Sequence, residues 1–121
     1  MKSLSVMLIF SFLILSTACS SSPKALPLKV YSEPAGGYVV YRIDSNAADD
    51  EPWVYIGTTP LESTLLIDKD IAKKAGKLSV RVMKEGYFDI KKEWDANKLK
   101  EESEQRKMLF WNPSLVEHQV K

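Results

Sequence analysis

The chain has 121 residues, 45% of them apolar and 27% charged, an ordinary globular balance with room for one domain. Its 17 basic side chains against 16 acidic ones include no basic block, which removes the footprint that phosphate neutralisation demands of a nucleic-acid binder. A single cysteine excludes an internal disulfide, so the compartment has to be read from elsewhere in the chain.

The N-terminus supplies it. Lys2 gives a positive start, Leu4 to Leu15 is an apolar run broken only by Ser5 and Ser11, and Ser16, Thr17 and Ala18 are small. That is the layout of a secretory signal, and it is too short for a membrane span, which needs about 20 apolar residues. Leu15-Ser16-Thr17-Ala18-Cys19 resembles the lipobox of bacterial lipoproteins. The resemblance implies removal of residues 1–18 and a Cys19 thiol carrying lipid, with acyl chains of the palmitate kind. It also implies a mature chain that starts at Cys19 on a membrane facing out of the cytoplasm. One departure is Ser16 three places before the cysteine, where leucine is usual, with Leu15 one place further back. The plainer alternative is a cleaved signal near which Cys19 merely happens to lie. Ser20 in place of Asp after the cysteine implies the outer membrane if the host has two. Cleavage would leave 103 residues with 16 charges of each sign, since Lys2 is the only charge in the leader. Ser20-Ser21-Ser22-Pro23-Lys24-Ala25-Leu26-Pro27 has the composition of a tether, so residues 19–27 are expected to be a short stalk.

Beyond the stalk the period is two. Leu28, Val30 and Ser32 alternate with Lys29, Tyr31 and Glu33, and Pro34-Ala35-Gly36-Gly37 is turn chemistry that should reverse the chain. Tyr38 to Ile43 is a second strand, and the polar stretch Asp44 to Pro52 is a surface loop. Trp53 to Ile56 and Ser63 to Ile67 are extended on either side of Gly57-Thr58-Thr59-Pro60. Asp68 to Gly76 has a cap, helix formers and a closing glycine, and predicts one short helix. Leu78, Val80 and Val82 make the clearest half-buried strand, Lys84-Glu85-Gly86 turns it, and Phe88 to Trp94 returns. Asp95 to Glu104 offers only Leu99 for burial and is expected to be mostly loop. Gln105 to Trp111, ending in Met108, Leu109, Phe110 and Trp111, is expected to be a final strand in preference to a helix, and residues 113–121 are a frayed tail. About seven short strands with close turn signals predict an all-β fold, a small antiparallel β-sandwich with one short helix over residues 28–112.

Three signals recur in a family order: Ser32-Glu33-Pro34-Ala35-Gly36-Gly37, then Ile56-Gly57-Thr58-Thr59-Pro60, then Lys84-Glu85-Gly86-Tyr87. Together they resemble a PEGA domain over roughly Leu28 to Trp94, with Pro34, Gly36, Gly37, Gly57, Pro60, Gly86 and Tyr87 as its structural positions. The departures are Gly37, where the family often has alanine, and the insertion Asp44 to Pro52. The resemblance implies a transthyretin-like sandwich of cell-surface proteins with binding or structural roles and no catalytic residues.

Catalytic constellations are thin. The only histidine is His118, in the expected tail, and the only thiol is the one the lipobox claims, so no nucleophile has an evident base. Asp44, Asp49, Asp50 and Glu51 form the densest carboxylate group, which an envelope enzyme or regulatory subunit would use and which reads most simply as a solvated loop. No metal or cofactor motif stands out. Tyr38, Trp53, Tyr55, Trp94 and Trp111 are candidates for a sugar-stacking platform, with core or edge packing as the simpler use. The expectation is a non-catalytic, lipid-anchored module that meets peptidoglycan, surface polysaccharide or an envelope protein. Assembly through an exposed strand edge is the structural alternative.

Overall fold

A computed structural model describes residues 23–44, 51–68, 71 and 76–119. The leader, Cys19 and the start of the stalk lie outside them, as do Asp49 and Asp50 and most of the short helix expected between Asp68 and Gly76. Among the described residues the chain forms two facing sheets. One has the order β4-β1-β7, from β4 (Leu61–Ile67), β1 (Lys24–Val30) and β7 (Leu109–Trp111). The other has the order β3-β2-β5-β6, from β3 (Val54–Thr58), β2 (Tyr38–Asp44), β5 (Lys77–Met83) and β6 (Ile90–Asp95). The all-β sandwich expected from the alternation is present. All strand pairs but one are antiparallel; β7 runs parallel to β1.

The alternation fixes what each sheet buries. Leu26, Leu28 and Val30 of β1 and Leu61, Leu65 and Ile67 of β4 turn inward, and Val39, Leu78, Val80, Val82 and Trp94 answer from the other sheet. Every second residue along these strands is therefore removed from water, which contributes about 25 cal/mol per Å² of apolar area.

Four expectations change. The stalk ends sooner, because β1 begins at Lys24 and Leu26 is already core. Pro27 hid this, yet a proline fits there: β7 accompanies β1 only at Leu28–Val30, so at Pro27 one flank of β1 has no strand beside it. Second, Pro34 to Gly37 reverses the chain as expected but delivers it to the other sheet, since β1 and β2 share no ladder. Third, Asp95 to Glu104 is not loop, because α1 occupies Ala96–Gln105. Asp95 caps it through Oδ1, which accepts from Lys98 N at 2.7 Å, and the single buried side chain, Leu99, plugs the end of the sandwich. Asp95→Ala should cost about 1 kcal/mol in a denaturant melt. Fourth, the tail is docked. Glu33 N donates to Pro113 O, Leu115 N to Glu33 O, Phe88 N to Val116 O and His118 N to Gly86 O, and Leu115 is buried, so the described tail up to residue 118 is held in place.

The three turn motifs meet at one end of the sandwich, opposite the end at which Lys24 enters β1. Thr59 joins the first two. Its Oγ1 accepts from Gly37 N at 2.9 Å and Gly36 N at 3.1 Å, and lies 2.6 Å from Ser32 Oγ. Ser32 spends its one proton on Pro34 O at 2.7 Å, so Thr59 donates to Ser32 and has both lone pairs and its proton engaged. Gly37 is required by space: a Cβ there would lie 2.5 Å from Val82 Cγ1. Gly86 is required by conformation, with φ +87 in the turn that Tyr87 N closes onto Lys84 O at 3.0 Å. Tyr87 packs against the core and bridges to Glu117.

Candidate functional site

The sheet register separates the candidate aromatics. Trp94 is 1% exposed inside the sandwich, and Trp111 stands edge-on to it, with centroids 6.4 Å apart at 90°. Trp94 is a core residue and not part of a stacking platform, which corrects that part of the expectation, and Trp111 is half-buried against the core, away from the outer face of the four-stranded sheet. Tyr38 and Tyr55 are 53% and 58% exposed and tilt together at 6.1 Å on the outer face of the β3-β2-β5-β6 sheet. Trp53 has the parity of Tyr55 and reaches the same face, where it is half-buried.

Two arginines explain that half-burial. The guanidinium carbons of Arg42 and Arg81 lie 4.6 and 4.2 Å from the Trp53 ring centroid. Arg42 pairs in register with Ser79, and Arg81 with Val40, so the three side chains roof the middle of β2 and β5. This accounts for Val40 and Ser79 being buried on a face otherwise turned to solvent. Arg42 Nε also lies 3.2 Å from Asp44 Oδ2. Asp44 is therefore the buried last residue of β2 and not the first residue of a solvated loop. Of the other carboxylates considered with it, Glu51 is exposed and Asp49 and Asp50 are not described.

The outer face of this sheet offers two exposed phenol rings with their hydroxyls, an indole edge, and guanidinium charge held in place by stacking, which leaves fewer rotamers to freeze when a ligand binds. Further along the face, Lys91 and Lys77 flank Glu93, and hydrogen bonding from Lys91 above all holds the Glu93 carboxyl below its usual range. His118 lies elsewhere, exposed in the docked tail, with its ring centroid 4.1 Å from that of Phe88. Among the described residues no cluster of three His, Cys, Asp or Glu side chains is spaced to hold a metal ion. No helix among them is long and apolar enough to cross a membrane.

Nothing in the sequence singles out Arg42 and Arg81. Each is a lone charge in a strand, and only the register that sets β2 against β5 brings them to one tryptophan. Comparison of the chain with protein-family models, with curated proteins and with solved structures gives no match.

Proposed function

We propose that this chain is a lipid-anchored, non-catalytic binding module of the bacterial cell envelope, of the PEGA type, held to its membrane through Cys19. The outer face of the four-stranded sheet is its contact surface for peptidoglycan, surface polysaccharide or an envelope protein. The observation that supports this most directly is the exposed Tyr38–Tyr55 pair beside the arginine-flanked Trp53. Rings exposed on a β-sheet suit the C–H faces of sugars, while tyrosine hydroxyls and the Arg81 guanidinium suit their hydroxyls and carboxylates.

The rival readings have less support. An enzyme using the stretch 44–52 would have Asp44 already committed to Arg42. On the four-stranded sheet, assembly by strand addition meets charges on the β6 edge, at Lys91, Lys92 and Glu93. On the β3 edge it meets a bulge, where Ile56 is the extra residue between the Val39–Gly57 and Val40–Tyr55 pairs. Both features discourage an added strand.

The test is retention of the mature protein on purified peptidoglycan and in envelope extract. Tyr38→Ala with Tyr55→Ala should lower retention about tenfold, the loss of roughly 1.4 kcal/mol, with melting unchanged because both side chains are exposed. Retention by peptidoglycan assigns a glycan, and retention only in extract assigns a protein. A double variant that is retained as well as the parent defeats the assignment of this face.

A further inference from the structure

A cavity of about 310 Å³ opens at the end of the sandwich where β1 begins, between α1 and the ends of β1 and β4. Leu26, Ile67, Ile71, Ala96 and Leu99 form its apolar wall, and Lys24 and Lys100 stand on its rim. It lies at the lower end of ligand-pocket sizes, about 300–1,000 Å³, enough for one slender group. We propose that it receives an acyl chain of an anionic phospholipid from the membrane to which the module is anchored.

Three features select that occupant. A peptide would bring N–H and C=O groups that an apolar wall leaves unpaired, whereas an acyl chain brings none. Among the described residues the rim carries two ammonium groups against the carboxylate of Asp68, and Lys24 Nζ is steadied by donating to Ser103 Oγ at 3.2 Å, so the mouth favours an anionic head. Position agrees as well. Cys19 precedes Lys24 by five residues, which span at most about 18 Å when extended, so a lipid on Cys19 keeps this mouth close to the headgroups. That last step rests on the anchored reading above; the wall and the rim charges do not.

The experiment uses the full protein in bacterial membranes containing phosphatidylglycerol with a photoreactive acyl chain, and maps the label by mass spectrometry. Label is expected at Leu26, Ile67 or Leu99. Ala96→Phe, which fills the cavity from a half-buried helix position, should cut it about tenfold. Ala96→Leu serves as a milder filler if the melt of the first variant shifts. Lys24→Gln with Lys100→Gln should reduce labelling to the level given by the phosphatidylcholine analogue. Label confined to residues 19–23, label indifferent to both fillers, or equal labelling by the two headgroups overturns the proposal. So does label that enters only in Cys19→Ala, which would assign the cavity to the protein's own acyl chain. Metabolic acylation measured in parallel separates the two readings. Acylation without cavity label removes the cavity proposal alone, and cavity label without acylation removes the anchor alone.

Discussion

Cys19→Ala is expected to abolish incorporation of a palmitate analogue, from full labelling to background, in bacteria fed the labelled fatty acid. No other residue offers a thiol, so the effect is all or none. What the loss does to membrane attachment follows from the number of chains. A single acyl chain gives only marginal, reversible membrane binding at about 0.8 kcal/mol per buried methylene, and stable attachment takes a second signal. The diacylglyceryl group that a lipobox implies supplies two chains at one stroke. Label that persists in Cys19→Ala, or a parent chain that never takes label, would remove the anchor and with it the address of the module.

Thr59→Val should be the most damaging isosteric change in the described chain. The substitution keeps volume and removes every hydrogen bond of the hydroxyl. Gly36 N has a second acceptor in Thr59 O at 2.9 Å, but Gly37 N is buried and donates to the Thr59 hydroxyl itself. Leaving a buried donor unpaired costs about 1–3 kcal/mol. Gly37→Ala attacks the same junction sterically, through the 2.5 Å approach to Val82 Cγ1, and overpacking of that kind costs about 1–3 kcal/mol. The two changes share partners, so the double variant should lose less than the sum. Urea midpoints of the three variants decide this, and a parental midpoint for Thr59→Val would show that the junction contributes nothing.

How much of this was legible varies with the kind of signal. Leu78, Val80 and Val82 declared their strand because a period of two needs no tertiary context. Leu26 did not, since Pro27 beside it and the serines before it speak for a tether; only the shortness of β7 makes that proline tolerable. The helix after Asp95 was missed for a related reason. Its stripe is a single leucine, and its stability comes from the Asp95 cap and from plugging an opening that exists only after the sheets have closed. Pro34 to Gly37 announced a turn but not whether that turn joins neighbours in one sheet or crosses to another. The candidate face divides the same way. Tyr38 and Tyr55 were visible as residues, while their separation from Trp94 and Trp111 and the arginines over Trp53 depend on register.

The placement of β1 also has a mechanical consequence. Lys24 lies at one end of the sandwich and the docked residues 114–118 at the other, so a pull between them runs along the strands. β1 takes that load as the central strand of its sheet, with seven residues in register with β4 and three with β7. Force directed along a strand loads its cross-strand hydrogen bonds side by side in shear, not one after another as in unzipping. A module tethered at its N-terminus and gripped at its far end would therefore hold as a unit up to a threshold and then give way at once.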